Sequence, residues 1–250
     1  MIGIMSAMDD EIKLLIEDLI LEEKRVIANR EYLKGSLYGK DVVLALSRWG
    51  KVAASQTATT LINLFQIDSL IFTGVAGGVA PELEIGDIVI STELVQHDVD
   101  ASPVPPMKRF EIPLLGISHF KADTSLIERA HSAATAFVSG SLHENISAEH
   151  LSAYGISRPT ITTGLIASGD QFIASASTIG SLRSSLENLQ CIEMEGAAVA
   201  QVCYEHAIPF VVIRALSDKA DHTAAIDFPR FVRHIAAHYS RGIIGGMLGA

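Results

Sequence analysis

Residues 210–218 read Phe-Val-Val-Ile-Arg-Ala-Leu-Ser-Asp. Phe210–Arg214 lacks the strict alternation of a half-exposed strand, which is what burial on both faces of a sheet produces. Asp218 then stands just beyond the carboxyl end of a central strand, where open α/β sheets place their ligands. Taken alone, that aspartate could equally cap the next helix. Working outward, similar short apolar runs occur at Ile2–Met5, Val42–Leu46, Leu70–Thr73, Ile88–Ser91, Ile161–Ile166 and Ile192–Met194. Helical spacing fills the stretches between them. Met8–Leu19 puts Ile12, Leu15, Ile16 and Leu19 on one stripe, and Val52–Phe65 does so with Ala53, Ala58, Leu61 and Leu64. Ser177–Leu186, Gly196–His206 and Phe228–Tyr239 follow the same pattern. Strand alternating with helix predicts an α/β fold with a mainly parallel sheet.

At roughly 150 residues per domain, the 250-residue chain is long enough for one large domain or two small ones. No Pro/Gly/Ser-rich linker or internal repeat divides it, so a single domain over residues 1–250 is expected. Ser102–Gly116, with Pro103, Pro105, Pro106 and Pro113, reads as a loop, and Gly140–Pro159 as a second irregular stretch. Lys and Arg number 19 against 29 Asp and Glu, and the resulting net charge of −10 argues against a nucleic-acid or anionic-membrane partner. Two cysteines, Cys191 and Cys203, are too few for a disulfide scaffold. Asp9, Asp10 and Glu11 interrupt any leader-like start, and no apolar run approaches the ~20 residues of a membrane span. The expectation is a cytoplasmic chain with a large core.

Several motifs fail on inspection. Gly50-Lys51 is not a phosphate-cradling loop, because Ala45 and Val52 occupy the positions that need Gly and Ser/Thr. Gly74-Val75-Ala76-Gly77-Gly78 follows a strand without matching the dinucleotide fingerprint, and on its own is equally well read as a tight strand-to-helix turn. There is no Gly-x-Ser-x-Gly elbow. His234 and His238 are four apart, but Ile235 stands where a zinc protease carries its Glu. His97-Asp98-Val99-Asp100 lacks a third spaced ligand partner. No metal and no organic cofactor is expected.

The acids are more informative. Glu11 falls in the first turn of the first helix, where it could serve the helix dipole as Asp9 and Asp10 do. Glu193 and Glu195 flank Met194 at the end of a buried run, and on a strand they would share one face. Burying both costs several kcal/mol unless each finds partners. Together with Asp218, three separate acidic positions lie at or near strand ends.

In chain order, the segments Ile2-Gly3-Ile4-Met5-Ser6-Ala7-Met8 with Glu11, Gly50-Lys51-Val52-Ala53-Ala54, Thr73–Gly78, Gly86-Asp87-Ile88-Val89, Ser168-Gly169-Asp170-Gln171-Phe172, Glu193-Met194-Glu195-Gly196-Ala197 and Arg214–Asp218 form a specific set. This set resembles the methylthioadenosine/S-adenosylhomocysteine nucleosidases, within the nucleoside phosphorylase superfamily. The resemblance implies a three-layer sandwich around a twisted, mainly parallel mixed sheet, a homodimer, and a small-molecule nucleoside as substrate. It implies that Asp218 protonates N7 of adenine while Glu11 activates water, with Arg214 helping to hold that water. Glu195 would bind the ribose hydroxyls, Met194 pack on the sugar, Phe172 stack on the purine and the Ile173 backbone read its edge. Phe228 and Trp49 would line the 5′-thioalkyl end, and Glu193, Ala76 and Gly77 complete the substrate contacts. The chemistry suits these residue types. Adenine leaves poorly as an anion, so an acid must protonate it, and carboxylates stabilise a sugar of oxocarbenium character.

Three positions depart from the family pattern. Trp49 stands where a small aliphatic residue is usual, Val75 replaces a Ser that helps bind water or phosphate, and residues 101–118 do not match. Residues 140–159 resemble an insertion. Phosphorolysis, action on an aminodeoxyfutalosine-type nucleoside, and non-catalytic nucleoside binding on the same fold therefore remain alternatives to hydrolysis. Phosphorolysis needs an anion site, for which only Arg48 and Arg214 are placed.

Overall fold

The computed structural model describes residues 1–249. Its strands are β1 (Ile2–Ser6), β2 (Ile20–Ile27), β3 (Arg30–Leu37), β4 (Lys40–Leu46), β5 (Ser69–Gly78), β6 (Ile88–Gln96), β7 (His119–Lys121), β8 (Ile161–Ser168), β9 (Leu189–Glu193) and β10 (Phe210–Asp218). The helices are α1 (Asp9–Asp18), α2 (Lys51–Phe65), α3 (Thr124–Ala136), α4 (Leu142–Asn145), α5 (Ala148–Ala153), α6 (Ala176–Ser185), α7 (Gly196–Glu205), α8 (Ala224–Phe231) and α9 (Ala237–Leu248). π-helical turns at Phe137–Ser141 and Val232–Ala236 join α3 to α4 and α8 to α9.

All ten strands among the described residues belong to one mixed sheet. Strands β5, β10, β6, β8 and β9 pair in a closed ring, and β1, β4, β3 and β2 extend outward from β5. Parallel pairing joins β5 to β1 and β10, β1 to β4, and β8 to β6 and β9. The two-residue period of a strand explains why these runs are apolar throughout. Ile4, Ile71, Val211 and Ile213 enter one core, with α1, α3 and α9 packed over it. Their neighbours Met5, Leu70, Phe72 and Val212 enter a second, under α2 and α7. Both faces of the sheet are covered, as the run at 210–214 requires. A third core gathers Leu182 and Leu186 from the α6 segment against β8 and β9.

Several expectations need correction. The glycine run 74–78 is the end of β5 and not a turn. Asp218 is the last residue of β10 and not a residue beyond it. β9 stops at Glu193, so Met194 is outside the strand and Glu195 is the N-cap of α7. Leu64 does not join the buried stripe of α2, being 55% exposed, and Ala54 takes its place in the core. The helix expected at Phe228–Tyr239 is two helices with a π turn between them. Residues 140–159 contain α4 and α5, and residues 101–118 are loop. No helix among the described residues is long and apolar enough to cross a membrane.

Candidate active site

Glu11 shows how local folding builds the site. β1 ends at Ser6 and α1 begins at Asp9, so Glu11 sits at the third helical position and reaches back over the turn. Its Oε2 accepts from the Ser6 hydroxyl (2.5 Å) and from the N–H groups of Ala7 (3.0 Å) and Met8 (2.9 Å). The other oxygen, Oε1, accepts from the Val75 N–H on β5 at 3.0 Å. Glu11 therefore caps its own helix with one oxygen and keeps the other in the site. Burial pushes its carboxyl above the ordinary value, against the Ser6 bond and the Arg214 charge.

Asp218 occupies the corresponding place on β10. Its Oδ2 accepts from the Ser217 hydroxyl at 2.7 Å and its Oδ1 from the Ala220 N–H at 2.8 Å. Desolvation outweighs these bonds and raises its pKa, which favours the protonated form that a general acid needs. Glu195 is 6% exposed, and its Oε1 accepts from the Gly50 N–H at 2.8 Å. Burial and the adjacent Glu193 charge push its pKa up to about 8.

Glu193 and Arg214 behave differently. Arg214 Nη2 meets Glu193 Oε2 at 2.6 Å in a pair almost wholly removed from solvent. The guanidinium also lies 4.2 Å over the Phe72 ring. Glu193 accepts from the Ser168 hydroxyl and from the Glu195 and Gly196 N–H groups (3.2 and 2.8 Å to Oε2), so it caps α7. One buried cation thus neutralises one buried anion, leaving Glu11, Glu195 and Asp218 as the acids whose pKa burial raises.

These groups meet at one cavity, with about 570 Å³ of empty space when its open mouth is included. β1 and α1 supply Glu11, β5 supplies Ala76 and Gly77, and the β9–α7 junction supplies Glu193, Met194 and Glu195. Phe172 and Ile173 enter from the segment after β8, Trp49 from ahead of α2, and Asp218 and Phe228 from β10 and α8. Arg214 is the one site residue expected from sequence that does not line it; it lies behind Glu193. The lining also contains Ala7, Met8, Val75, Gln171, Ile192 and Ser217. Ala7, Met8, Val75, Gln171 and Ser217 fall within the segments that carry the family resemblance and Ile192 within the run Ile192–Met194, but of these only Val75 stands out in the sequence. Trp49 is 53% exposed and meets the Phe228 ring edge-on at 5.8 Å, and Phe228 in turn meets Phe172 at 5.6 Å. Phe228 therefore bridges Trp49 on one side of the cavity to Phe172 on the other. Among the described residues, no group of three or more His, Cys, Asp or Glu is arranged to hold a metal ion.

Comparison with known proteins gives a consistent result. The model of the phosphorylase superfamily matches residues 1–248. A 5′-methylthioadenosine/S-adenosylhomocysteine nucleosidase of Bacillus thuringiensis is 35% identical over 97% of this chain and 96% of its own. The structure of such a nucleosidase from Neisseria meningitidis, bound to methylthio-immucillin-A, superposes with a TM-score of 0.86 at 34% identity, covering 98% of this chain and 97% of the other. One from Colwellia psychrerythraea, bound to adenine, gives 0.85 at 33% identity, covering 99% and 94%. With the model spanning β1 to α9 and the relatives matching end to end, the chain belongs to the phosphorylase superfamily and, within it, to the family of methylthioadenosine/S-adenosylhomocysteine nucleosidases.

Proposed function

We propose that this protein hydrolyses the N-glycosidic bond of 5′-methylthioadenosine, S-adenosylhomocysteine or both, releasing adenine and the 5′-thioribose product. The observation that carries this reading is the cavity where Glu11, Glu195 and Asp218 converge, each with its pKa raised by burial. Protonated Asp218 donates to N7 of adenine as the N9–C1′ bond breaks, and the bonding electrons leave with the base. Glu11 draws a proton from the water whose oxygen forms the new bond to C1′. Glu195 holds the ribose hydroxyls, and the acidic lining stabilises the positive charge that develops on the sugar. Phe172 stacks on the purine and the Ile173 backbone reads its edge, as the family resemblance implies. No step of this scheme calls on a metal or cofactor.

Hydrolysis is favoured over phosphorolysis by the charge of the cavity. Its titratable lining residues are all acids, so the lining offers a phosphate anion no cation. The two arginines that could have offset this are committed elsewhere, Arg214 to Glu193 and Arg48 to the Asn29 carbonyl at 2.6 Å. Val75 presents only its backbone N–H, and Glu11 accepts that. A homodimer in the cytoplasm, acting on a small nucleoside, completes the reading. Incubation with methylthioadenosine in phosphate-free buffer, followed by identification of both products, tests it. Adenine and free methylthioribose are expected. A sugar 1-phosphate formed only when phosphate is added would establish phosphorolysis, and absence of adenine from every 5′-substituted adenosine would leave a binding protein.

A further inference from the structure

Two walls of the cavity come from segments that share no secondary-structure element: Trp49 ahead of α2, and Gln171-Phe172-Ile173 after β8. Three charged residues outside the cavity lining join them. Lys51 Nζ contacts Asp98 Oδ1 at 2.6 Å, Asp98 Oδ2 accepts from the Asp170 N–H at 2.9 Å, and Asp170 Oδ1 accepts from the Lys51 N–H at 2.8 Å. The bonds close a ring through three distant parts of the chain. The Lys51 and Asp98 side chains are only 16% and 21% exposed, so solvent and salt screen their attraction less than at an open surface. Burial works to raise the Asp98 carboxyl, yet Lys51 and the Asp170 N–H hold it below the ordinary value. Lys51 Nζ also donates to Gln96 Oε1 at 3.0 Å, and Gln96 Nε2 donates to Gln201 of α7 at 2.7 Å.

The start of α2 depends on this ring. Gly50 is its N-cap, has φ +92°, and has no side chain with which to cap the helix. Asp170 supplies the missing acceptor from 119 residues away and places negative charge at the positive end of the helix. The fit is close, since a Cβ on Gly50 would lie 3.0 Å from Asp170 Oδ1. Fixing Gly50 in turn aims its N–H at Glu195. Glu11 and Asp218, by contrast, take their donors from their own turns and from β5, none of which involves the ring.

We propose that Lys51, Asp98 and Asp170 are positioning residues, a clasp that holds the Trp49–Gly50 and 171–173 segments at the separation needed to grip a nucleoside. Releasing the clasp loosens the walls and the Glu195 anchor while leaving the acid and the water-activating carboxylate in place. Substrate binding should therefore suffer more than the chemical step. The kinetic part of this inference rests on the nucleoside reading; the spectroscopic part does not.

The chain has one tryptophan, Trp49, two residues from Lys51, so its emission reports one wall directly and without substrate. Lys51→Met and Asp98→Asn should shift that emission in the free protein. Both should raise KM for methylthioadenosine about tenfold or more with kcat within about threefold, and Lys51→Arg should recover most of the loss. Folded Lys51→Met and Asp98→Asn proteins with wild-type emission and KM would overturn the clasp. So would an equal loss of kcat and kcat/KM with KM unchanged, or failure of both variants to fold, which would make the triad a structural staple. If the wild type released no adenine, the nucleoside reading would fall, and the emission comparison would still decide the clasp.

Discussion

Asp218 combines two opposing influences, a carboxyl that is 3% exposed and two hydrogen bonds that favour its ionised form. Its raised pKa shows that desolvation wins. Asp218→Asn keeps a hydrogen-bonding group of the same shape and removes the transferable proton, so kcat should fall ~10²–10⁴-fold while an unreactive nucleoside analogue still binds. Activity within a few-fold of wild type would take Asp218 out of the mechanism. Glu195 gives a pH prediction. Its pKa near 8, against 4.5 ordinarily, means the folded state keeps a proton that the unfolded state has released. That stabilisation is fully present below the unfolded value and is lost as pH rises through the folded one, at about 1.4 kcal/mol for each pH unit between the two values. Between about pH 5 and about pH 9 the Tm of the wild type should therefore fall relative to that of Glu195→Gln, and parallel Tm profiles would refute this. Trp49 is the residue where sequence alone leaves two readings open, core packing or the mouth of the site. Its exposure and its edge-on contact with Phe228 favour the mouth. The cavity offers no cation to the carboxylate of a homocysteinyl tail, whereas an indole packs well against a methylthio group. Methylthioadenosine should thus be the better substrate by kcat/KM, within the ~10–200-fold range of one misplaced bulky group, and Trp49→Ile should narrow the gap. An unchanged ratio in a stable mutant would make Trp49 structural.

Strand β5 shows what is legible at the level of elements and what is not. Its apolar half, Leu70–Phe72, alternates between two cores and reads directly as a buried strand. Its second half, Gly74–Gly78, suggests a turn because glycine is the usual residue of turns. The structure gives the glycines another purpose: they leave room for side chains from neighbouring strands and helices. A Cβ at Gly74 would lie 2.8 Å from Glu11 Oε1 and 3.2 Å from Arg214 Nη1, and one at Gly77 would lie 3.0 Å from Asp218 Oδ1. No local pattern can signal a gap filled by residues 63 and 140 positions away. The hairpin β2–β3 is hidden from sequence for a different reason. Its outer strand carries Glu22, Glu23, Lys24 and Arg25 and is largely exposed, so it has no apolar run to detect. The site residues are legible where their chemistry is conspicuous, as at Glu11, Glu193, Glu195 and Asp218. The role of Arg214 comes from the resemblance alone, and the buried ion pair it forms with Glu193 is a tertiary fact that no local pattern signals. The β5 argument also makes a prediction. Gly74→Ala leaves strand pairing available but crowds Glu11 and Arg214, so kcat should fall about 10²-fold with a much smaller change in Tm. Equal damage to both, or to neither, would show that the gap at Gly74 does not serve the acid.

At the scale of the whole molecule, the closed ring of strands and the two helical layers bury the sheet, yet large apolar side chains stay exposed on and around α2, α7 and the loop at residues 101–118. Leu114 is 95% exposed and Val104 64% in the loop at residues 101–118, and Val52, Tyr204 and Trp49 are 81%, 49% and 53% exposed on or beside α2 and α7. The loop belongs to that side because Ile112, Leu115 and Ile117 pack on the core that α2 and α7 cover. Exposed apolar groups on these neighbouring elements suit a covered surface, and a two-fold pairing of identical copies is the commonest cover. The homodimer proposed from the family resemblance would use this surface, with about 800 Å² per partner to bury for a stable interface. Trp49 and Phe172 belong to both the exposed set and the cavity lining, so the cavity opens toward the surface that pairing would cover. Dimerisation and substrate binding should then be linked. Sedimentation at micromolar concentration should give twice the chain mass, and Val104→Glu with Leu114→Glu should shift the protein toward monomer and raise KM, although neither residue lines the cavity. A wild-type monomer of full activity would place the apolar side outside the enzyme's working form. A double mutant that dissociates without any change in KM would separate the interface from the site and leave the cavity complete within one chain.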